Sequence, residues 1–267
     1  MSLLQAIILG IVQGLTEFLP ISSSGHLLLI PNIFDWPEQS VEFDAVMHLA
    51  TLVAVLVFFR SELNKIFKSI ITKSPANKEF RRLGWIILVA TIPALIFGLI
   101  IKLLPENPFR TTTMVILSLF AWAIVMFVID MILRIPKNIK AVEKINWKQG
   151  IYIGLAQAIA LIPGTSRSGI TMITGLAQGI DRPTAARFSF LLGIPAIAAA
   201  GSISLIDILT NTHADFNYLA LLCGFIAAFI SGFFAIKFLI KFLEKHGLGV
   251  FVLYRILLGL ILIMLFW

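Results

Sequence analysis

A polar interruption near the N-terminus decides the fold, and it reads Gln13-Gly14-Leu15-Thr16-Glu17-Phe18-Leu19-Pro20-Ile21-Ser22-Ser23-Ser24-Gly25-His26. It lies inside a run, residues 3–30, that is otherwise apolar. Inside a membrane, such polar groups are costly unless they line a cavity or meet polar partners. The stretch therefore predicts a broken membrane segment that helps to build a polar cavity.

The composition is that of a multi-pass membrane protein. Of the 267 residues, 59% are hydrophobic and 13% are charged, and the mean hydropathy is +0.98. Soluble proteins carry roughly 25% charged residues. The net charge of +7 is concentrated in a few short loops, which favours membrane topology beside anionic lipid and argues against nucleic acid as a partner. Spans of sufficient length are predicted at about 43–60, 84–104, 112–133, 184–207, 217–241 and 248–266.

A second polar interruption lies within residues 149–180 and reads Pro163-Gly164-Thr165-Ser166-Arg167-Ser168-Gly169. Each interruption is preceded by a G-x-x-Q pattern, ending at Gln13 or Gln157, and contains a proline and a Ser/Gly cluster. Paired broken helices are typical of inverted repeats. The sequence thus predicts an all-α membrane protein with six full spans, two re-entrant hairpins, and repeats at 1–140 and 141–267.

The distribution of Lys and Arg predicts the orientation in the membrane. Basic residues place the loops 60–82, 134–148 and 241–247 in the cytoplasm, and 31–43, 105–111 and 208–216 outside. The second hairpin then enters from the cytoplasm and the first from outside, so we expect the site to open externally. A complete crossing by residues 3–30 stays open as an alternative.

Arg167 is the most informative residue, because it lies well inside an apolar segment and needs a partner there. Its planar fork suits a pair of phosphate oxygens or a carboxylate. Hydroxyls and helix N-termini at both interruptions add further donors for an anion. The predicted phosphate-binding residues are Ser22, Ser24, Gly25, Thr165, Ser166, Arg167 and Ser168.

Glu17 and Gln13 are four residues apart and share one helix face. Their oxygens could hold a divalent cation, or Glu17 could orient His26 or act as a general base. Ser23 could be a nucleophile with His26 as its base. The spacing leaves attack by serine, by histidine and by water open.

Structural interpretations of the same residues also stay open. The Ser/Gly clusters could serve helix packing alone, and Arg167 could only neutralise Glu17. The remaining charged residues indicate less. Asp44 and His48 are expected to border the cavity, Asp130 and Arg134 to form a surface pair, and Arg182 and Arg187 to satisfy topology; no pattern accounts for Arg255 inside the last span.

The two interruptions together resemble those of the undecaprenyl-diphosphatase family of the bacitracin-resistance type, over essentially the whole chain. The resemblance implies a bacterial plasma-membrane enzyme that hydrolyses undecaprenyl diphosphate to undecaprenyl phosphate and inorganic phosphate. It thereby implies recycling of the lipid carrier for peptidoglycan synthesis, and bacitracin resistance.

The resemblance also assigns roles by position. The family's [E/Q]-x-x-x-E motif falls on Gln13 and Glu17, its proposed catalytic serine and histidine on Ser23 and His26, and its phosphate-binding arginine on Arg167. It implies a divalent cation, Mg²⁺ or Ca²⁺. Position 13 is a glutamine in this chain, so the motif supplies one amide and one carboxylate and does not provide the two carboxylates that some metal sites need.

Two rival functions remain at this point. A transporter or flippase for a polyprenyl phosphate or another anion would share the broken helices and Arg167, and a passive bacitracin-binding or scaffold protein is a third interpretation. The Ser23 and His26 pair favours the enzyme, since transport does not need it. Membrane lipids are expected partners, and a homodimer is compatible with the architecture.

Overall fold

The computed structural model describes residues 1–72, 77–104, 108–109, 111–133, 141–210 and 217–266, without the side chains of 203–210. Within these residues the fold is all-α and contains no strand, which confirms the predicted fold class. The helices are α1 Leu3–Phe18, α2 Ser23–Ile33, α3 Val41–Phe58, α4 Arg60–Thr72, α5 Lys78–Leu103, α6 Thr112–Ile132, α7 Trp147–Ile159, α8 Arg167–Ala177, α9 Arg182–Thr210, α10 Tyr218–Leu243 and α11 Gly249–Phe266.

Six of these helices are long and apolar enough to cross a membrane, namely α3, α5, α6, α9, α10 and α11. The shortest of them have 18 residues and reach about 27 Å, close to the roughly 30 Å of a hydrocarbon core. The six predicted spans are confirmed, although α5 begins at Lys78, six residues before its predicted start.

Both predicted interruptions separate two short helices. Leu19 is extended, with φ −68° and ψ 141°, as expected for the residue before a proline, and α1 ends at Phe18. The second segment also breaks, between α7 and α8, but α7 ends at Ile159, four residues before Pro163, and Ala160 after it keeps a helical conformation with φ −64° and ψ −13°. Helix α2 continues past Pro31 to Ile33, so the connector to α3 is shorter than predicted.

The region predicted as a basic loop at 60–82 is largely helical, so that prediction was wrong. Helix α4 directly follows α3 and buries Ile66 and Ser69. An ion pair between Glu62 and Arg187 ties α4 to α9. Arg187 therefore makes a specific contact in addition to its predicted effect on topology.

Close backbone contacts join the first helix of each broken segment to a span from the other half of the chain. A Cβ added at Gly10 of α1 would lie 3.0 Å from the carbonyl carbon of Gly224 in α10. One added at Gly154 of α7 would lie 2.7 Å from Cα of Ala90 in α5. This reciprocal packing supports the proposed repeats at 1–140 and 141–267, which stay a prediction.

Asp130, at the end of α6, pairs with Arg182 of α9 (Nε to Oδ1 2.7 Å) and also accepts the backbone N–H of Leu248 at 2.7 Å. The predicted pair with Arg134 lies outside the described residues, as do most of the predicted turn at 105–108 and of the basic loop at 134–148 (residues 105–107 and 134–140), together with 211–216.

Candidate active site

The two interruptions share an unusual backbone conformation at a serine. Ser22 has φ 72° and ψ 100°, and Ser166 has φ 71° and ψ 106°. Each serine caps the following helix, since its hydroxyl accepts the backbone N–H of Gly25 at 3.4 Å or Gly169 at 3.2 Å. Positive φ values are strained for serine and are often found at functional sites. The equal geometry gives α2 and α8 matching N-termini.

Hydrogen bonds join the two interruptions to each other. Ser24 Oγ accepts the backbone N–H of Gly164 at 3.0 Å, and Ser168 Oγ donates to the carbonyl of Leu19 at 3.2 Å. These contacts link residues about 140–150 positions apart in the chain. The predicted serines therefore lie in one polar cluster, where two of them connect its halves.

Glu17 is the centre of this cluster. Its Oε1 accepts from Arg167 Nη2 at 3.1 Å, and its Oε2 accepts from Gln13 Nε2 at 3.1 Å and from Ser23 Oγ at 3.2 Å. Gln13 is fully buried and Glu17 is 8% exposed. The predicted residues of the first and second interruptions thus meet at a single carboxylate.

The guanidinium of Arg167 packs against α9. Its Nη1 donates to the carbonyl of Ser189 at 3.3 Å, and its guanidinium lies against Gly193, where a Cβ would be 2.6 Å from Cζ. Thr171 Oγ1 lies 2.6 Å from Ser189 Oγ and ties α8 to the same span. Sequence reasoning missed Ser189 and Gly193, which have no polar motif around them.

His26 is fixed by two hydrogen bonds. Its Nδ1 lies 2.7 Å from the Ser22 carbonyl and its Nε2 2.7 Å from the Tyr254 hydroxyl. Because a carbonyl only accepts, Nδ1 carries the proton in a neutral ring and Nε2 accepts from Tyr254. The structure does not pair His26 with Ser23, whose hydroxyl donates to Glu17 instead.

A cavity of about 350 Å³ opens beside Ser23 and Ser24, between the starts of α3 and α6. Its wall includes Asp44, His48 and Thr111, as expected for the first two. His48 Nδ1 lies 2.7 Å from the Asp44 carbonyl, and its Nε2 lies 3.6 Å from Glu17 Oε2. The cavity is large enough for a phosphate group, and it reaches the polar cluster at Ser23 and Ser24.

The predicted anion-binding residue Thr165 lies deeper. It is 1% exposed, and its hydroxyl has no hydrogen-bond partner among the described residues. Its carbonyl accepts from Arg255 at 3.2 Å. Thr165 therefore lies beneath the Ser166 cap and does not line the cavity described above.

The residues Gln13 and Glu17 offer a small set of oxygen ligands for a cation. Gln13 Oε1 is buried and has no hydrogen-bond partner among the described residues, and it lies one turn from the Glu17 carboxylate. No cluster of three or more His, Cys, Asp or Glu side chains suited to a metal occurs in the described part of the chain. Mg²⁺ commonly takes one or two protein oxygens and completes its shell with phosphate and water, and Gln13 and Glu17 carry oxygens of that kind.

Comparison with known proteins gives a consistent result. The family described as "Bacitracin resistance protein BacA" matches residues 6–261. An undecaprenyl-diphosphatase of Chlorobaculum tepidum is 43% identical over 98% of this chain and 96% of its own length. Undecaprenyl-diphosphatase 1 of Pseudoalteromonas translucida is 40% identical over 98% of both chains, and an undecaprenyl-diphosphatase of Idiomarina loihiensis is 40% identical over the full length of both.

Proposed function

The chain belongs to the BacA bacitracin-resistance family, and we propose that it dephosphorylates undecaprenyl diphosphate at the cluster around Glu17, Ser23 and Arg167. It is a multi-pass membrane phosphatase, and its activity returns the lipid carrier to the cell-wall cycle. The observation that carries the site assignment is that Arg167 of the second interruption and Ser23 of the first both contact the Glu17 carboxylate.

Arg167 and the N-termini of α2 and α8 would bind the diphosphate. A guanidinium can hold two oxygens of a phosphate at once, and helix N-termini favour anions. The Arg167 side chain is 14% exposed, so it is partly accessible. Its charge would stabilise the negative charge that develops on the phosphate oxygens during transfer.

Ser23 is our candidate nucleophile, and Glu17 is our candidate proton acceptor. Ser23 Oγ already donates to Glu17 Oε2 at 3.2 Å, which is hydrogen-bonding distance for general base catalysis. Attack of Oγ on the terminal phosphorus forms a phosphoserine, breaks the bond to the bridging oxygen and releases undecaprenyl phosphate. Water then hydrolyses the phosphoserine to inorganic phosphate, and Glu17 returns the proton to Ser23.

His26 would act by position rather than as the base of Ser23. Both of its ring nitrogens are engaged, with Ser22 and Tyr254, and the ring lies in the first turn of α2 beside the cap. Direct attack by water, with Glu17 as the base, is the alternative to a phosphoserine. Trapping of a phosphorylated enzyme distinguishes the two.

Gln13 and Glu17 would hold a divalent cation, Mg²⁺ or Ca²⁺, through Oε1 of the amide and the carboxylate. When bound, the cation supplies charge neutralisation for the phosphate oxygens. With glutamine at position 13, only one carboxylate contributes.

We also propose that the site opens to the external face of the bacterial plasma membrane. The cavity is bordered by the connectors after α2 and before α6. The distribution of Lys and Arg along the chain predicts that both connectors are external. A homodimer stays a prediction without support from any described contact.

The test is phosphate release from undecaprenyl diphosphate by the purified protein in detergent, with Mg²⁺ or Ca²⁺ and with chelator. We expect cation-dependent release that is lost in Arg167→Ala and retained in Arg187→Ala, an arginine paired with Glu62 on α4. Ser23→Ala should lose release and leave no phosphorylated enzyme. Unchanged release by Arg167→Ala would refute the site, and transport of the lipid without release would indicate the flippase instead.

A further inference from the structure

Arg255 lies in α11 and is the largest fully buried side chain among the described residues, with no exposed surface. An arginine inside a membrane span needs partners for its charge and for all of its N–H groups. A carboxylate is the usual partner, but none in the described part of the chain forms an ion pair with Arg255. Its partners must therefore be uncharged.

The five N–H groups of Arg255 are all directed at backbone carbonyls. These acceptors come from α6, from the first interruption and from the second interruption. They are Leu119 (Nε, 3.3 Å), Ser118 (Nη2, 3.2 Å), Gly164 (Nη2, 2.8 Å), Thr165 (Nη1, 3.2 Å) and Pro20 (Nη1, 3.5 Å). Each donor of the guanidinium is thus satisfied once, which is the complete capacity of the group.

The positions of these carbonyls relate Arg255 to both halves of the site. Pro20 lies two residues before the Ser22 cap, and Thr165 immediately precedes the Ser166 cap. One rigid planar group therefore holds the chain just ahead of α2, which carries Ser23, and just ahead of α8, which carries Arg167. A lysine could not replace it, because an ammonium has three donors and no fixed fork.

We propose that Arg255 is a positioning residue for phosphoryl transfer, which fixes the distance between Ser23 on α2 and Arg167 on α8. It does not contact either side chain, and it acts through the carbonyls of Pro20, Gly164 and Thr165. Serine attack requires the nucleophile and the phosphate-binding arginine to be aligned on one phosphorus, and a misplacement of about 1 Å can lower a rate by about 100-fold. This inference rests on the proposed function.

The experiment compares Arg255→Lys and Arg255→Gln with the wild type in the phosphate-release assay. Arg182→Lys is the control, because the Arg182 side chain is 24% exposed and pairs with Asp130, at the opposite end of α6 from the cavity. Folded protein is quantified by size-exclusion profile and thermal unfolding, and kcat is expressed per folded molecule. We expect kcat to fall about 10- to 100-fold in both Arg255 variants, with KM changed less than about threefold.

The outcomes separate positioning from a purely structural role. A folded Arg255→Lys with the kcat of the wild type would overturn the proposal. So would failure of both Arg255 variants to fold, because Arg255 would then be needed for the fold alone. A fall of kcat in Arg182→Lys as large as in Arg255→Lys would also overturn it. Absence of release by the wild type would instead contradict the proposed function.

Discussion

Gly193→Ala tests the seat of Arg167 with a single added methyl group. Gly193 lies in α9, against the guanidinium, between the buried Leu192 and the partly buried Ile194. A Cβ there would lie 2.6 Å from Arg167 Cζ and 3.1 Å from Nη2. We expect the variant to fold, because alanine is the better helix former, and to displace Arg167.

The size of the displacement follows from these distances. Carbon atoms in contact prefer separations of about 3.5–4.0 Å, and Nη1 of Arg167 would lie closer to the new Cβ than Cζ does, so the guanidinium must move by at least about 1 Å. The hydrogen bonds of Arg167 to Glu17 (3.1 Å) and to Ser189 (3.3 Å) would then exceed bonding distance. A misplacement of this size lowers a rate by about 100-fold, which corresponds to about 2.7 kcal/mol of transition-state stabilisation.

The assay is phosphate release from undecaprenyl diphosphate at saturating substrate. Gly98→Ala in α5 is the matched control, since its Cβ would meet only Leu161 at an ordinary 3.6 Å, and we expect it to retain the kcat of the wild type. If Gly193→Ala also retains that kcat while Arg167→Ala is inactive, the position of Arg167 described above is refuted.

Three further predictions concern other parts of the chain. Tyr254→Phe keeps the ring stacked on His26 but removes the hydroxyl donor, worth about 1 kcal/mol; kcat should fall about fivefold, and no change would contradict a role for that bond. Asp130→Asn weakens the contact to Arg182 and should lower the free energy of unfolding by about 1–3 kcal/mol, which is seen as a lower unfolding temperature. The kcat per folded molecule should stay unchanged, and a lower kcat would contradict a purely structural role for this pair. Gln13→Ala removes a proposed ligand and should raise the Mg²⁺ concentration for half-maximal release and weaken Mg²⁺ binding measured by calorimetry; equal values would remove Gln13 from the cation site.

The membrane architecture and most of the reactive groups could be predicted from the amino-acid pattern. Spans are set by local composition, because about 20 consecutive apolar residues cross a bilayer wherever they occur. The two interruptions were visible for the same reason, since Pro20 and the serine clusters stand out against apolar surroundings. Arg167 and Glu17 were identified as candidates because charge is rare inside a membrane segment. Amphipathic α4 was missed because its basic residues are equally typical of a loop.

Which of these groups contact each other could be learned only from the folded chain. The contact of Glu17 with Arg167 spans 150 positions and that of His26 with Tyr254 spans 228, and no local pattern encodes such distances. For this reason the sequence offered His26 as one candidate base for Ser23 and left the nucleophile open, whereas in the structure the Ser23 hydroxyl donates to Glu17. Gly193 and Ser189 have roles that depend on the side chain lying above them. Arg255 had no interpretation until its five carbonyl partners were seen, because backbone acceptors are present at every residue and only folding selects among them.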